Sequence, residues 1–255
     1  MPMPKSASDS LYKALANALS AQGLSLRGSW VPTETEPLPC LPDGSAPGVV
    51  WMVGVVGSDF WPHFKASAFY QDGLPDPLDR WSRAIGEALA QHYGGLALFP
   101  FDGPPYQPFQ RWADRAEPTQ ASAMMLRIHP EHGLWHAYRF ALALPRQDAG
   151  SPGANTGVHA KAAQPAVASG QATSLCASCS GQPCLQACPV RAYTGTTFVL
   201  QACANHLHSG QGEDCMQYGC LARRACPVGP EKRYTPEHAA FHMQAFADHH
   251  PGTVG

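Results

Sequence analysis

CASCSGQPCLQACP at residues 176–189 and CANHLHSGQGEDCMQYGCLARRACP at residues 203–227 together hold eight of the chain's nine cysteines. The first run reads Cys176-x2-Cys179-x4-Cys184-x3-Cys188-Pro189, and the second Cys203-x11-Cys215-x4-Cys220-x5-Cys226-Pro227. No membrane or secretory segment is expected, so the chain is placed in a reducing cytoplasm. There, cysteines at this density serve metals or catalysis rather than disulfides. Eight thiolates supply two sites of four soft ligands each. Cys40 stands apart, in a Pro-rich region, and reads as a free thiol.

The ligand count fits two [4Fe-4S] clusters or two structural zincs, since zinc groups also use x2 to x4 spacings. Zinc gives no reason for two Cys-Pro endings. In two-cluster ferredoxins, the last cysteine of a run ligates the other cluster. That chemistry pairs Cys176, Cys179, Cys184 with Cys226, and Cys188 with Cys203, Cys215, Cys220. The x4 and x5 spacings are wider than the usual x2 and x3, so the partition stays open.

Working outward, residues 147–173 are Ala, Gly, Gln, Pro and Ser with almost no large apolar side chain, the composition of a linker. Upstream, residues 8–22 read as an amphipathic helix and Leu24–Val31 as a strand. Pro32–Pro47 is an irregular connection. Val49–Val56 is an apolar, β-branched run, a buried strand. Ser58-Asp59 offers a cap for a helix through Phe64 and Ala68. Asp76-Pro77 opens a stronger helix, with Leu78, Trp81, Ile85 and Leu89 at helical spacing. Leu96–Phe99 is a further strand. Met124–Ile128 and Leu134–Leu144 are two strands joined by a turn at residues 129–133. The aromatic, Pro-rich segment 99–112 is either one wall of a site for a large flat ligand or a loop packed between two domains. A helical tail spans about residues 236–247.

Charge and length bound the rest. Formal net charge is −2 and only 14% of the 255 residues are charged, so no overall field gathers nucleic acid, and such a partner is expected to be unlikely. The longest apolar run, Gly48–Gly57, is far shorter than the ~20 residues of a membrane helix. The N-terminus shows no signal-peptide core and no twin arginine. By composition alone the turn at His129–Trp135 is structural, and the basic group Arg223, Arg224, Lys232, Arg233 is a solvated surface or a docking face for an acidic redox partner. No residue stands out as catalytic; Asp102 or Asp114 could donate a proton, and nothing singles out either.

The cysteine region resembles a bacterial two-cluster ferredoxin module, and in particular that of epoxyqueuosine reductase, through CLQACPVRAY at 184–193 and GCLARRACP at 219–227. The segment IHPEHGLWHAYRFALALP at 128–145, with DPLD at 76–79, resembles the cobalamin-processing protein CblC. These resemblances imply an α+β chain. A flavin-reductase-like, CblC-like sandwich (1–146) is followed by the linker (147–173), a two-cluster ferredoxin-like domain (174–230) and a helical tail (231–255). They imply cobalamin near His129, Trp135 and Arg139, and a soluble electron donor such as a flavodoxin or ferredoxin reductase. The implied activity is an iron–sulfur cobalamin reductase, taking Co(II) to Co(I) or removing the upper ligand. Corrinoid-dependent reduction of another substrate, and a non-enzymatic electron carrier or B12 chaperone, are the alternatives.

Overall fold

The computed structural model describes residues 7–33, 38–146 and 174–253. The expected linker 147–173 and part of the Pro-rich connection lie outside the described residues. The chain forms two compact units, and neither is continuous in sequence. Among the described residues, the first takes those up to Val55, then Asp59–Pro118 and residues 137–146. The second takes Val56–Ser58, Thr119–His136 and residues 174–253.

In chain order the first unit supplies α1 (Ala7–Ser20), β1 (Ser25–Trp30), β2 (Val49–Val56), α2 (Trp61–Ala66), α3 (Ala68–Gln71), α4 (Pro77–His92), β3 (Leu96–Leu98) and α5 (Phe109–Ala116). The second unit then interposes a two-stranded ribbon, β4 (Gln120–Ala121) with β5 (Arg127–Ile128). The strand β6 (His136–Leu144) returns to the first unit's sheet, whose order is β1-β2-β6-β3. β1 pairs antiparallel with β2, with Trp30 opposite Val50, and β3 pairs antiparallel with β6, with Leu96 opposite Ala143.

β2 is apolar throughout because both of its faces are covered. Val50 and Met52 pack with Trp30, Leu98, Phe109, Trp112 and Ala141 on the α5 side. Trp51 meets Tyr12 of α1, with ring centroids 5.9 Å apart. α4 begins with proline at its first turn and buries Leu78, Trp81, Gly86 and Ala90. Gly86 has a packing reason. A Cβ there would lie 3.1 Å from Phe99 and 3.3 Å from Phe140, tighter than the interior tolerates without a shift. Phe60 and Phe64 close the same side against Trp81, at centroid distances of 5.9 and 5.6 Å.

A buried polar knot ties this unit together. The Arg27 guanidinium is 2% exposed and grips Glu117 with two bonds of 2.7 and 2.9 Å. It also donates to the Val55 carbonyl at 3.0 Å, and the Tyr138 hydroxyl donates to Glu117 at 2.6 Å. Burial and the neighbouring Glu117 carboxylate push the Tyr138 phenol up.

Three expectations change. Phe99, Phe109 and Trp112 of the aromatic segment are buried in the first unit's interior, and residues 109–116 form α5. They are packing residues, hidden from pattern reading by the prolines around them. The strands flanking His129 do not form the expected hairpin. β5 pairs with β4, β6 joins the larger sheet, and only an isolated bridge, His129 to Gly133, closes the turn. The first unit is a mixed α/β fold on an antiparallel sheet. Among the described residues that sheet is a single four-stranded layer, so the flavin-reductase-like sandwich is not shown.

The second unit is helical and short in its elements: α6 (Pro183–Ala187), α7 (Leu200–Leu207), α8 (Glu213–Tyr218), α9 (Leu221–Arg224) and α10 (Pro236–His249). Its interior joins the ribbon to the cysteines. Met124, Ile128 and Leu134 pack with Cys188, Ala192, Ala222 and Cys226. No helix among the described residues is long and apolar enough to cross a membrane.

Candidate metal centre

Each cysteine is placed by a short element and a break. Cys184 sits in the first turn of α6, and Cys188 caps its end with φ −75° and ψ 116°. Pro189 cannot extend the helix and disfavours helical backbone in the residue before it, so Cys188 turns away from the Cys184 side. The backbone N–H of Ala192 donates to Cys188 Sγ at 3.3 Å. Cys203 lies on α7 and Cys215 on α8, while Cys220 caps the start of α9. Cys226 follows the Ala225 cap of α9 and is again held before a proline.

The sulfurs fall into two groups. Burial first, then the charges of Cys226, Cys176 and Cys179, push the Cys184 thiol up. Cys226 is likewise raised by burial and by Cys176 and Cys179. In the other group burial and then Cys220, Cys188 and Cys215 push Cys203 up to about 12. Cys215 and Cys220 are also raised, burial being the first cause, with Cys188 among their charged neighbours. In none of these five thiols does a cysteine of the other group enter as a cause. Cys188, Cys203, Cys215 and Cys220 line one cavity, with Tyr193 and His206 beside them. Stacked on Phe198 at 4.7 Å, the Tyr193 phenol is pushed up by burial and by Cys220, Cys203 and Cys188.

Such groups cannot all ionise without a cation in their midst. Four thiols converging in a half-buried, largely apolar setting fit a thiolate-ligated metal or cluster. Backbone N–H groups of Leu185, Leu221, Ala222, Arg223 and Val228 favour the thiolate form of their neighbouring cysteines and oppose the effect of burial. Cys40 is exposed and belongs to the first unit.

The expected corrin contacts are divided. Arg139 belongs to the first unit, where its Nε donates to Ser82 Oγ at 3.0 Å and its guanidinium pairs with Asp79 at 2.5 Å. His129 and Trp135 belong to the second. His129 Nδ1 accepts the backbone N–H groups of Glu131 and His132 at 3.1 and 3.3 Å, and its ring stacks on His132 at 4.2 Å. His129, Glu131 and His132 each offer a ligand atom within 4.8 Å of the others, though the turn already engages Nδ1 of His129. Gly133 makes this turn at φ +57°, and a Cβ there would meet the Val228 carbonyl at 1.9 Å.

Sequence reading missed a second layer around the cysteines. Arg223, midway between Cys220 and Cys226, turns inward and stacks over Trp135 and Tyr234 at 4.7 and 4.4 Å. Its Nε donates to the Leu134 carbonyl at 3.1 Å. Arg224 pairs with Asp214 and donates to the Gly219 carbonyl at 3.1 Å, and Arg233 donates to the Arg224 carbonyl at 2.6 Å. The basic group is therefore partly consumed internally. Tyr234 stacks on His238 at 3.9 Å, and His238 bonds Ser58 Oγ at 2.9 Å and His242 Nε2 at 3.0 Å. The spacing His238-x3-His242 was the available signal, being one residue per helical turn of α10. Asp102, considered as a proton donor, is ion-paired with Arg83.

No protein family matches the sequence, and no curated protein matches it. Among the solved structures that are loosely similar in fold, two are epoxyqueuosine reductases. One, with a tRNA-Tyr epoxyqueuosine-modified tRNA stem loop, has a TM-score of 0.41 and 15% identity over 91% of this chain and 71% of that one. The other, from Bacillus subtilis with its catalytic loop swung out of the active site, has a TM-score of 0.38 and 18% identity over 91% of this chain and 62% of that one. The first is seen with tRNA, and this overturns the expectation that nucleic acid is an unlikely partner. A near-zero net charge summed over a whole chain does not describe any one face of it.

Proposed function

We propose that this chain is an iron–sulfur oxidoreductase that holds two [4Fe-4S] clusters and works as a corrinoid-dependent reductase. The observation that carries the cluster reading is the convergence of Cys188, Cys203, Cys215 and Cys220, drawn from both Cys-Pro runs, on one cavity. Cys176, Cys179, Cys184 and Cys226 would hold one cluster, and Cys188, Cys203, Cys215 and Cys220 the other. When bound, such clusters supply one-electron transfer at potentials from roughly −700 to +450 mV. The chain's part is to exclude water around the second group with Tyr193, Leu207 and Met243, and to donate N–H bonds to sulfur, as Ala192 does to Cys188.

The corrinoid rests on sequence resemblance. Of its two readings, reduction of a separate substrate is preferred to processing of the corrinoid itself. The residues that carry the CblC resemblance, 128–145, are divided between the two units and form no common hairpin. The ferredoxin-module resemblance, by contrast, lies wholly within the second unit.

Anaerobic reconstitution followed by metal analysis is the test. About eight irons per chain, with matching sulfide, is the expected result. About two zincs and no sulfide would replace the cluster reading with a structural one. Adding cobalamin and reductant to the reconstituted protein tests the corrinoid separately, and an unchanged corrin spectrum would remove that part alone.

A further inference from the structure

We infer that His206 donates a hydrogen bond from Nε2 to the cluster held by Cys188, Cys203, Cys215 and Cys220, and so sets that cluster's potential apart from its partner's. The inference rests on the two-cluster reading above. α7 places His206 one turn after Cys203, on the same face of the helix. Both residues line the cavity shared by the four thiols. His206 is only 8% exposed, and its Nε2 is buried with no hydrogen-bond partner among the described residues. Buried polar nitrogens are almost always satisfied, so an orphan at this place calls for an acceptor that the protein itself does not supply. The side chains around it include Val190, Leu207, Leu221 and Met243, none of which can accept strongly. Cluster sulfide or thiolate sulfur is an anionic acceptor in that position. The four cysteines already complete a four-ligand set, which leaves His206 as donor.

The direction follows from charge. Reduction adds an electron to the cluster and makes its sulfurs better acceptors, so a donated N–H stabilises the reduced form and raises the potential. The cavity that His206 lines holds Cys188, Cys203, Cys215 and Cys220 and none of Cys176, Cys179, Cys184 and Cys226. His206 would therefore act on one cluster alone.

The experiment compares wild type, His206→Leu and His206→Gln after anaerobic reconstitution, by iron content, EPR-monitored redox titration and pulsed EPR with 15N-labelled histidine. Cys203→Ser and Cys176→Ser identify which potential belongs to which cluster. We expect His206→Leu to keep the full iron content and to move one potential negative, the one that vanishes in Cys203→Ser. His206→Gln, whose amide N–H can donate, should recover part of the shift, and a weak 15N coupling should be lost in both variants. Unchanged potentials at full iron content would overturn the inference, as would a shift in the cluster that depends on Cys176. Loss of about half the iron in His206→Leu would also overturn it, by making His206 a ligand or a packing residue. A wild-type chain that takes up no iron would instead defeat the two-cluster reading itself.

Discussion

At the scale of single residues, the two prolines after Cys188 and Cys226 carry the argument. Each holds the cysteine before it out of helical backbone, and each of those cysteines groups with the other run. The prolines and the cysteine spacing were legible in the sequence, because no long-range packing is needed to see them, while the partition stayed open there. His206 and Arg223 were not legible. Their roles depend on which face of a short helix is covered, and a four- to eight-residue helix carries too few positions to show a periodicity. The crossing makes a prediction that simple proximity in sequence would get wrong. Cys176→Ser, Cys226→Ser and Cys188→Ser should each cost one cluster, about four irons. The double variant of Cys176 and Cys226 should lose no more than either single one. The double variant of Cys188 and Cys226 should lose both clusters. Iron and sulfide analysis reads all of these, and the opposite pattern of doubles would return Cys188 to the first run's cluster.

At the scale of elements, β2 and α4 were read correctly because their signals are local and strong: an unbroken apolar run, and apolar residues at helical spacing behind a proline. α5 was missed because Pro104, Pro105 and Pro108 mask its start, and its burial is decided by Trp30 and Val50, which are distant in sequence. What pins α5 is the Arg27–Glu117–Tyr138 knot, where β1, the end of α5 and β6 meet. An ionised pair this buried contributes little by itself and much if half-broken. Tyr138→Phe removes one hydrogen bond to a carboxylate and should cost about 1.5–3 kcal/mol. Glu117→Ala leaves the Arg27 charge uncompensated and should cost about 3–5 kcal/mol. Urea unfolding midpoints of the first unit's transition measure both, and equal costs would mean that the knot does not hold Arg27 as described.

At the scale of the whole molecule, the sequence suggested beads on a string, with a cofactor domain, a linker and a ferredoxin domain in order. Contact between distant segments draws the boundaries differently, and no local pattern in residues 119–136 announces it. The unit that holds the cysteines includes that segment. Met124, Ile128 and Leu134, each 3% exposed or less, fill its interior beside Cys188 and Cys226. The Leu134 carbonyl accepts from Arg223, and Gly133 sits against the Val228 carbonyl. Removing one large buried apolar side chain costs about 2–5 kcal/mol. Removing three together approaches or exceeds the roughly 5–15 kcal/mol by which whole domains are stable. Residues 170–255 expressed alone should therefore show no cooperative thermal melt and should hold less than the full iron, although they contain all eight cysteines. The full chain carrying Ile128→Ala and Leu134→Ala should fall between that fragment and wild type in melting temperature and in retained iron. A fragment that reconstitutes completely and melts cooperatively would show that the ribbon decorates the cysteine unit without belonging to its core.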